Sequence, residues 1–74
     1  MSEAYVQQEL QKYPYRTNQG TPFRLQKNGE HSWDVFECYS EMEYGHFVGF
    51  RELQDSFDDC DTEEQAKEYW IQQS

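Results

Sequence analysis

The chain has 74 residues and a formal net charge of −9. That length holds one domain and no second core. The acidic balance disfavours direct contact with nucleic acid or an anionic membrane and favours a basic surface on another protein. The charge is also unevenly placed. Residues 1–36 balance Glu3, Glu9, Glu30 and Asp34 against Lys12, Arg16, Arg24 and Lys27, so the whole excess lies in residues 37–74. It is densest from Glu52 to Glu64.

A mean hydropathy of −1.19 points toward disorder, but the chain carries six Tyr, five Phe and two Trp. Each aromatic can bury roughly 150–250 Å², and disordered chains are poor in them. The expectation is a folded domain with an aromatic core, since Leu, Ile and Val are few. No apolar run approaches the roughly 20 residues that span a bilayer. The N-terminus, Met-Ser-Glu-Ala-Tyr, lacks the basic and apolar regions of a signal peptide, so the expected compartment is the cytoplasm.

In chain order, Ser2 is placed to cap a first short helix that Pro14 would stop. Val6, Leu10 and Tyr13 form one helical stripe. Residues 14–21 read as a loop with a turn at Asn18-Gln19-Gly20. Pro22–Lys27 is the first predicted strand, with Phe23 and Leu25 on one face. Asn28-Gly29 is a type I′ hairpin signal. His31–Tyr39 is the second strand; Trp33, Val35 and Tyr39 share one face, and Phe36 and Cys38 the other. Glu41–Gly45 makes the next connection. His46–Leu53 is the third strand, with Phe47 and Leu53 facing one side, Val48 and Phe50 the other, and Gly49 as a bulge. Gln54–Cys60 reads as a loop carrying one apolar anchor, Phe57.

The last predicted element is a helix capped by Asp61 or Thr62, with Glu64 or Gln65 completing a capping box. Its stripe of Ala66, Tyr69 and Trp70 should lie on the sheet. The fold class is therefore α+β: a three-stranded antiparallel meander packed by a C-terminal helix, with a short N-terminal helix. One domain divides into helix and loop (1–21), meander (22–53) and acidic loop with helix (54–74).

Several chemistries fail on spacing. Asp59, Asp61 and Glu63 imitate the start of a calcium loop, but Glu64 and Trp70 occupy the places that need Gly and a second Glu. Cys38, Cys60, His31 and His46 include no close ligand pair for zinc. Cys60 lies between Asp59 and Asp61, which disfavour the thiolate a nucleophile needs. No phosphate loop or nucleophile elbow occurs. The order strand–strand–strand–helix resembles some DNA-binding sheet modules in topology over residues 22–72. Those modules meet phosphates with Arg and Lys on their strands, whereas here the strands offer Arg24, Lys27 and Arg51 alone.

No cofactor, metal or catalysis is expected. The pattern fits a small acidic protein-binding module, in its sharper form an inhibitor or nucleic-acid mimic that occupies a basic surface of a nucleic-acid-binding protein. Glu52, Asp55, Asp58, Asp59, Asp61 and Glu64 would supply the electrostatic contacts, and Tyr44, Phe57 and Tyr69 the apolar anchors. The alternative is a structural subunit or assembly factor held in a larger complex through an aromatic sheet face. Homodimerisation is also open to the chain through an exposed strand edge such as Pro22–Lys27.

Overall fold

A computed structural model describes residues 3–73, so the cap expected at Ser2 lies outside the described residues. The elements are α1 (Glu3–Leu10), β1 (Tyr15–Arg16), β2 (Pro22–Lys27), β3 (Trp33–Glu43), β4 (His46–Phe57) and α2 (Glu63–Gln73). The class is α+β. The strands form one antiparallel sheet in the order β1-β2-β3-β4, four strands rather than three. The added strand, β1, pairs Tyr15 with Phe23 and Arg16 with Pro22. Two residues are too few to show an alternating pattern, so this stretch looks like loop until its partner is known.

The turn at residues 17–20 follows the Asn-Gln-Gly signal. Thr17 is buried, its N–H donates to the Thr21 carbonyl (2.9 Å), and its Oγ1 accepts from the Thr21 N–H (3.1 Å). Asn28-Gly29 behaves differently from expectation. The register sets Lys27 opposite Trp33, so residues 28–32 form a longer loop, closed by the Asn28 N–H on the Ser32 carbonyl (2.9 Å). The tight two-residue turn is instead Tyr44-Gly45, between the paired Glu43 and His46. Both central residues have positive φ, 52° at Tyr44 and 80° at Gly45, as a type I′ turn requires.

That turn lets β3 and β4 run on as a long hairpin. β4 extends to Phe57, and the loop expected from Gln54 is strand. Twelve residues at about 3.3 Å each span ~40 Å, which matches the 41 Å long axis of the molecule. A register shift between Glu41 and Met42 faces the stretch Phe47–Gly49 and leaves Val48 without a counterpart. The consequence is that Phe47 and Phe50 share a face, their rings 5.0 Å apart, instead of opposing each other as strict alternation predicts. Gly49 takes φ 154°, a conformation nearly restricted to glycine.

The two sheet faces are covered differently. On one, Phe23, Trp33, Val35, Phe57, Cys60 and Ala66 form the main core, with Tyr15, Leu25, Trp70 and Ile71 packed around it. α2 supplies Ala66 and sets the Trp70 ring 6.0 Å from Phe57. Its start is the expected capping box, resolved in favour of Thr62. Thr62 Oγ1 accepts from the Gln65 N–H (3.2 Å), and Gln65 Oε1 accepts from the N–H groups of Asp61 (2.7 Å) and Thr62 (3.3 Å). On the opposite face, the N-terminal segment buries Tyr13 and Cys38 and stacks Tyr5 on Phe50. Both cysteines are free and buried, on opposite faces of the sheet.

Candidate functional site

The acidic end of the molecule is built by one buried residue. After β4, Cys60 turns into the core: its N–H donates to the His31 carbonyl (3.2 Å), and its carbonyl accepts from the Trp33 indole N–H (2.9 Å). Anchoring Cys60 directs its neighbours outward. Asp58, Asp59 and Asp61 are all exposed, and Asp59 adopts a left-handed φ of 70°, which Asp tolerates better than most residues. Asp58 accepts from the Ser32 hydroxyl (2.7 Å), and Asp61 meets His31 Nδ1. Burial raises the Cys60 thiol pKa, and the charges of Asp59 and Asp61 raise it further. The thiol is held protonated, the opposite of an activated nucleophile.

α2 continues the acidic surface. Glu63 accepts from the Tyr15 hydroxyl, and Glu64 lies 2.9 Å from Lys67 Nζ. Glu68, one turn after Glu64, lies 3.7 Å from the same ammonium. Tyr69 leans on Phe57 at 4.8 Å between ring centroids and remains 40% exposed. Asp59, Glu64, Glu68, Tyr69 and Gln72 border a shallow concavity of about 410 Å³. It has carboxylates on its rim and one aromatic wall.

The nine residues expected to bind a partner do not form one patch. Asp58, Asp59, Asp61, Glu64 and Tyr69 meet at this end. Asp55 stands on β4 two residues before Phe57, opposite Val35 and so on the α2 side of the sheet. Glu52 points to the other side. It accepts from the Tyr13 hydroxyl (2.5 Å) and from Arg24 Nε (3.3 Å) and Nη2 (3.4 Å). Desolvation pushes its carboxyl pKa up, but these hydrogen bonds outweigh that and hold it below the ordinary glutamate value. Glu52 is thus an internal tie between the N-terminal segment and the sheet.

Phe57 is a correction: it is buried in the main core and offers no exposed anchor. The loop expected around it is strand, and its alternation turns this ring inward. Tyr44 is 94% exposed, but at the hairpin tip, at the opposite end of β4 from the Asp58–Asp61 turn. Glu68 escaped sequence reasoning, although its i, i+4 spacing from Glu64 was the available signal. The exposed Met42 and Val48 on the hairpin arm were also missed, because their exposure follows from the length of the arm and its bulge.

Among the described residues, no group of three or more His, Cys, Asp and Glu side chains converges as a metal site. None of the described helices is long and apolar enough to cross a membrane. Compared with known protein families, curated proteins and solved structures, the chain gives no significant match.

Proposed function

We propose that the protein is a small non-catalytic binding module that docks its acidic end onto a basic surface of a partner protein. The observation that carries this reading is the convergence of Asp59, Glu64 and Glu68 around one concavity with Tyr69 in its wall, and the exposure of Asp58 and Asp61 on the adjoining turn. The nearby cations are Lys67 and, when protonated, His31. Such a field steers encounter and selects for positive partners, while the half-exposed ring gives a desolvated contact. In the sharper form, the partner's basic surface is one that binds nucleic acid, and the carboxylates stand where phosphates would. The partner then loses nucleic acid competitively. Reversing Asp58→Lys and Asp59→Lys together should abolish binding that the parent shows at low salt. Unchanged affinity would remove this reading.

A second reading rests on a different observation. Met42, Tyr44 and Val48 are 61%, 94% and 46% exposed along the hairpin arm. An arm that shows apolar side chains to water suits insertion into a larger assembly. Binding of that kind would resist salt and fail on Tyr44→Ser with Met42→Ser.

A further inference from the structure

β4 is the outer strand of the sheet, and among the described residues nothing pairs with its free side. An exposed edge this long is unusual, because sheet edges tend to be short, charged, interrupted by proline or covered. The bulge at Val48–Gly49 protects only the part near the tip. From Phe50 to Phe57 the strand pairs with β3 without interruption and contains no proline. We propose that this edge joins a second copy of the chain, β4 to β4, in an antiparallel pair centred on Leu53.

The register follows from charge and symmetry. A two-fold axis normal to the sheet places each residue opposite one of the same face, so the centre must fall on a residue. Centring on Glu52 would set that carboxylate against its own copy. Centring on Gln54 would set Leu53 against Asp55 and Arg51 against Phe57. Centring on Leu53 sets Arg51 opposite Asp55 of the second copy, twice by symmetry, and Leu53 opposite Leu53. Leu53 is 43% exposed in the single chain, and Arg51 has only a long 3.8 Å approach to Glu41. In this register the one cation on β4 gains a partner and the exposed leucine is covered.

The same register keeps the Asp58–Asp61 turns of the two copies apart. Asp58 of one copy falls beside Val48 of the other, which separates the two acidic ends by roughly 33 Å at 3.3 Å per residue. That exceeds the Debye length of about 8 Å at physiological salt. The pairing closes the β4 edges, while on the other side of the sheet the two-residue β1 covers Pro22 and Phe23 of β2.

The test is sedimentation equilibrium on the full chain and three variants, with circular dichroism to confirm that each folds. The parent should show a concentration-dependent dimer. Arg51→Asp sets like charges opposite each other and should raise the dimer dissociation constant about tenfold. Adding Asp55→Arg to that variant should restore it. Leu53→Cys should oxidise readily to a covalent dimer and Gln54→Cys should not, since only the first pair lies on the axis. A chain that stays monomeric up to about 1 mM overturns the proposal. So does a dimer indifferent to Arg51→Asp, or equal cross-linking at positions 53 and 54.

Discussion

Tyr13 and Tyr15 tie the N-terminal segment to the rest of the molecule through carboxylates, and this makes stability depend on pH in two directions. The Tyr15 hydroxyl, bonded to Glu63 and partly desolvated, has its pKa pushed up from 10.0 to about 12. Tyr13 is raised as well, by burial and by Glu52. A raised folded pKa gives stability that is whole below the unfolded value of 10.0 and is lost as pH rises through the folded value. Denaturant melts at about pH 9 and about pH 11 should therefore show a smaller drop for Tyr15→Phe than for the parent. Glu52 works the other way. Its lowered folded pKa gives stability that is present above the ordinary glutamate value and is lost as pH falls through the depressed one. On acidification, Glu52→Gln should lose less stability than the parent. Equal acid slopes for the two proteins would mean that the Tyr13–Glu52–Arg24 tie does not form in solution.

Tyr44 is the other informative single residue. A bulky side chain held at φ 52° carries backbone strain of order 1–3 kcal/mol. Tyr44→Gly should stabilise the fold by up to about 1 kcal/mol in chemical denaturation. The Tyr44 ring is 94% exposed, and with Met42 and Val48 it forms the apolar surface of the arm on which the second functional reading rests.

At the scale of elements, α2 depends on its cap and its core contact. Thr62→Ala should cost about 1 kcal/mol, because it removes one half of the reciprocal box with Gln65. Phe57→Ala should cost roughly 3–5 kcal/mol. It empties the centre of the core between Trp33, Tyr69 and Trp70, and in a domain this small that approaches the whole stability. These two elements also show what could be read in advance. The Thr62–Gln65 box and the Ala66–Trp70 stripe are local patterns, so the helix was legible from residues 61–70 alone. The β4 extension was not, because Gln54, Asp55 and Ser56 look like a polar loop. They are strand because β3 offers partners in Phe36, Val35 and Asp34. Gly49 hinted at a bulge, yet only the pairing shows that Phe47 and Phe50 come to one side.

For the molecule as a whole, the densest acidic stretch of the sequence comes to one end of a molecule 41 Å long. The acidic turn and α2 lie at one end and the exposed tyrosine tip at the other. The composition could count the acids but could not sort them. Glu52 is drawn into an internal tie, while Asp58, Asp59, Asp61 and Glu64 remain outward because Cys60 anchors the turn between them. That sorting depends on contacts from Trp33 and His31, nearly thirty residues earlier in the chain. Raising ionic strength should weaken partner binding through the acidic end and leave any contact of the hairpin arm nearly unchanged.

The most direct test is affinity capture from nuclease-treated lysate, run in parallel with the parent and the Asp58→Lys, Asp59→Lys variant, and eluted with a salt gradient. Mass spectrometry then identifies what each form holds. A basic protein should be released from the parent at moderate salt and be absent from the variant. A partner held equally by both forms through high salt would contradict docking through the acidic end and move the contact to the hairpin arm.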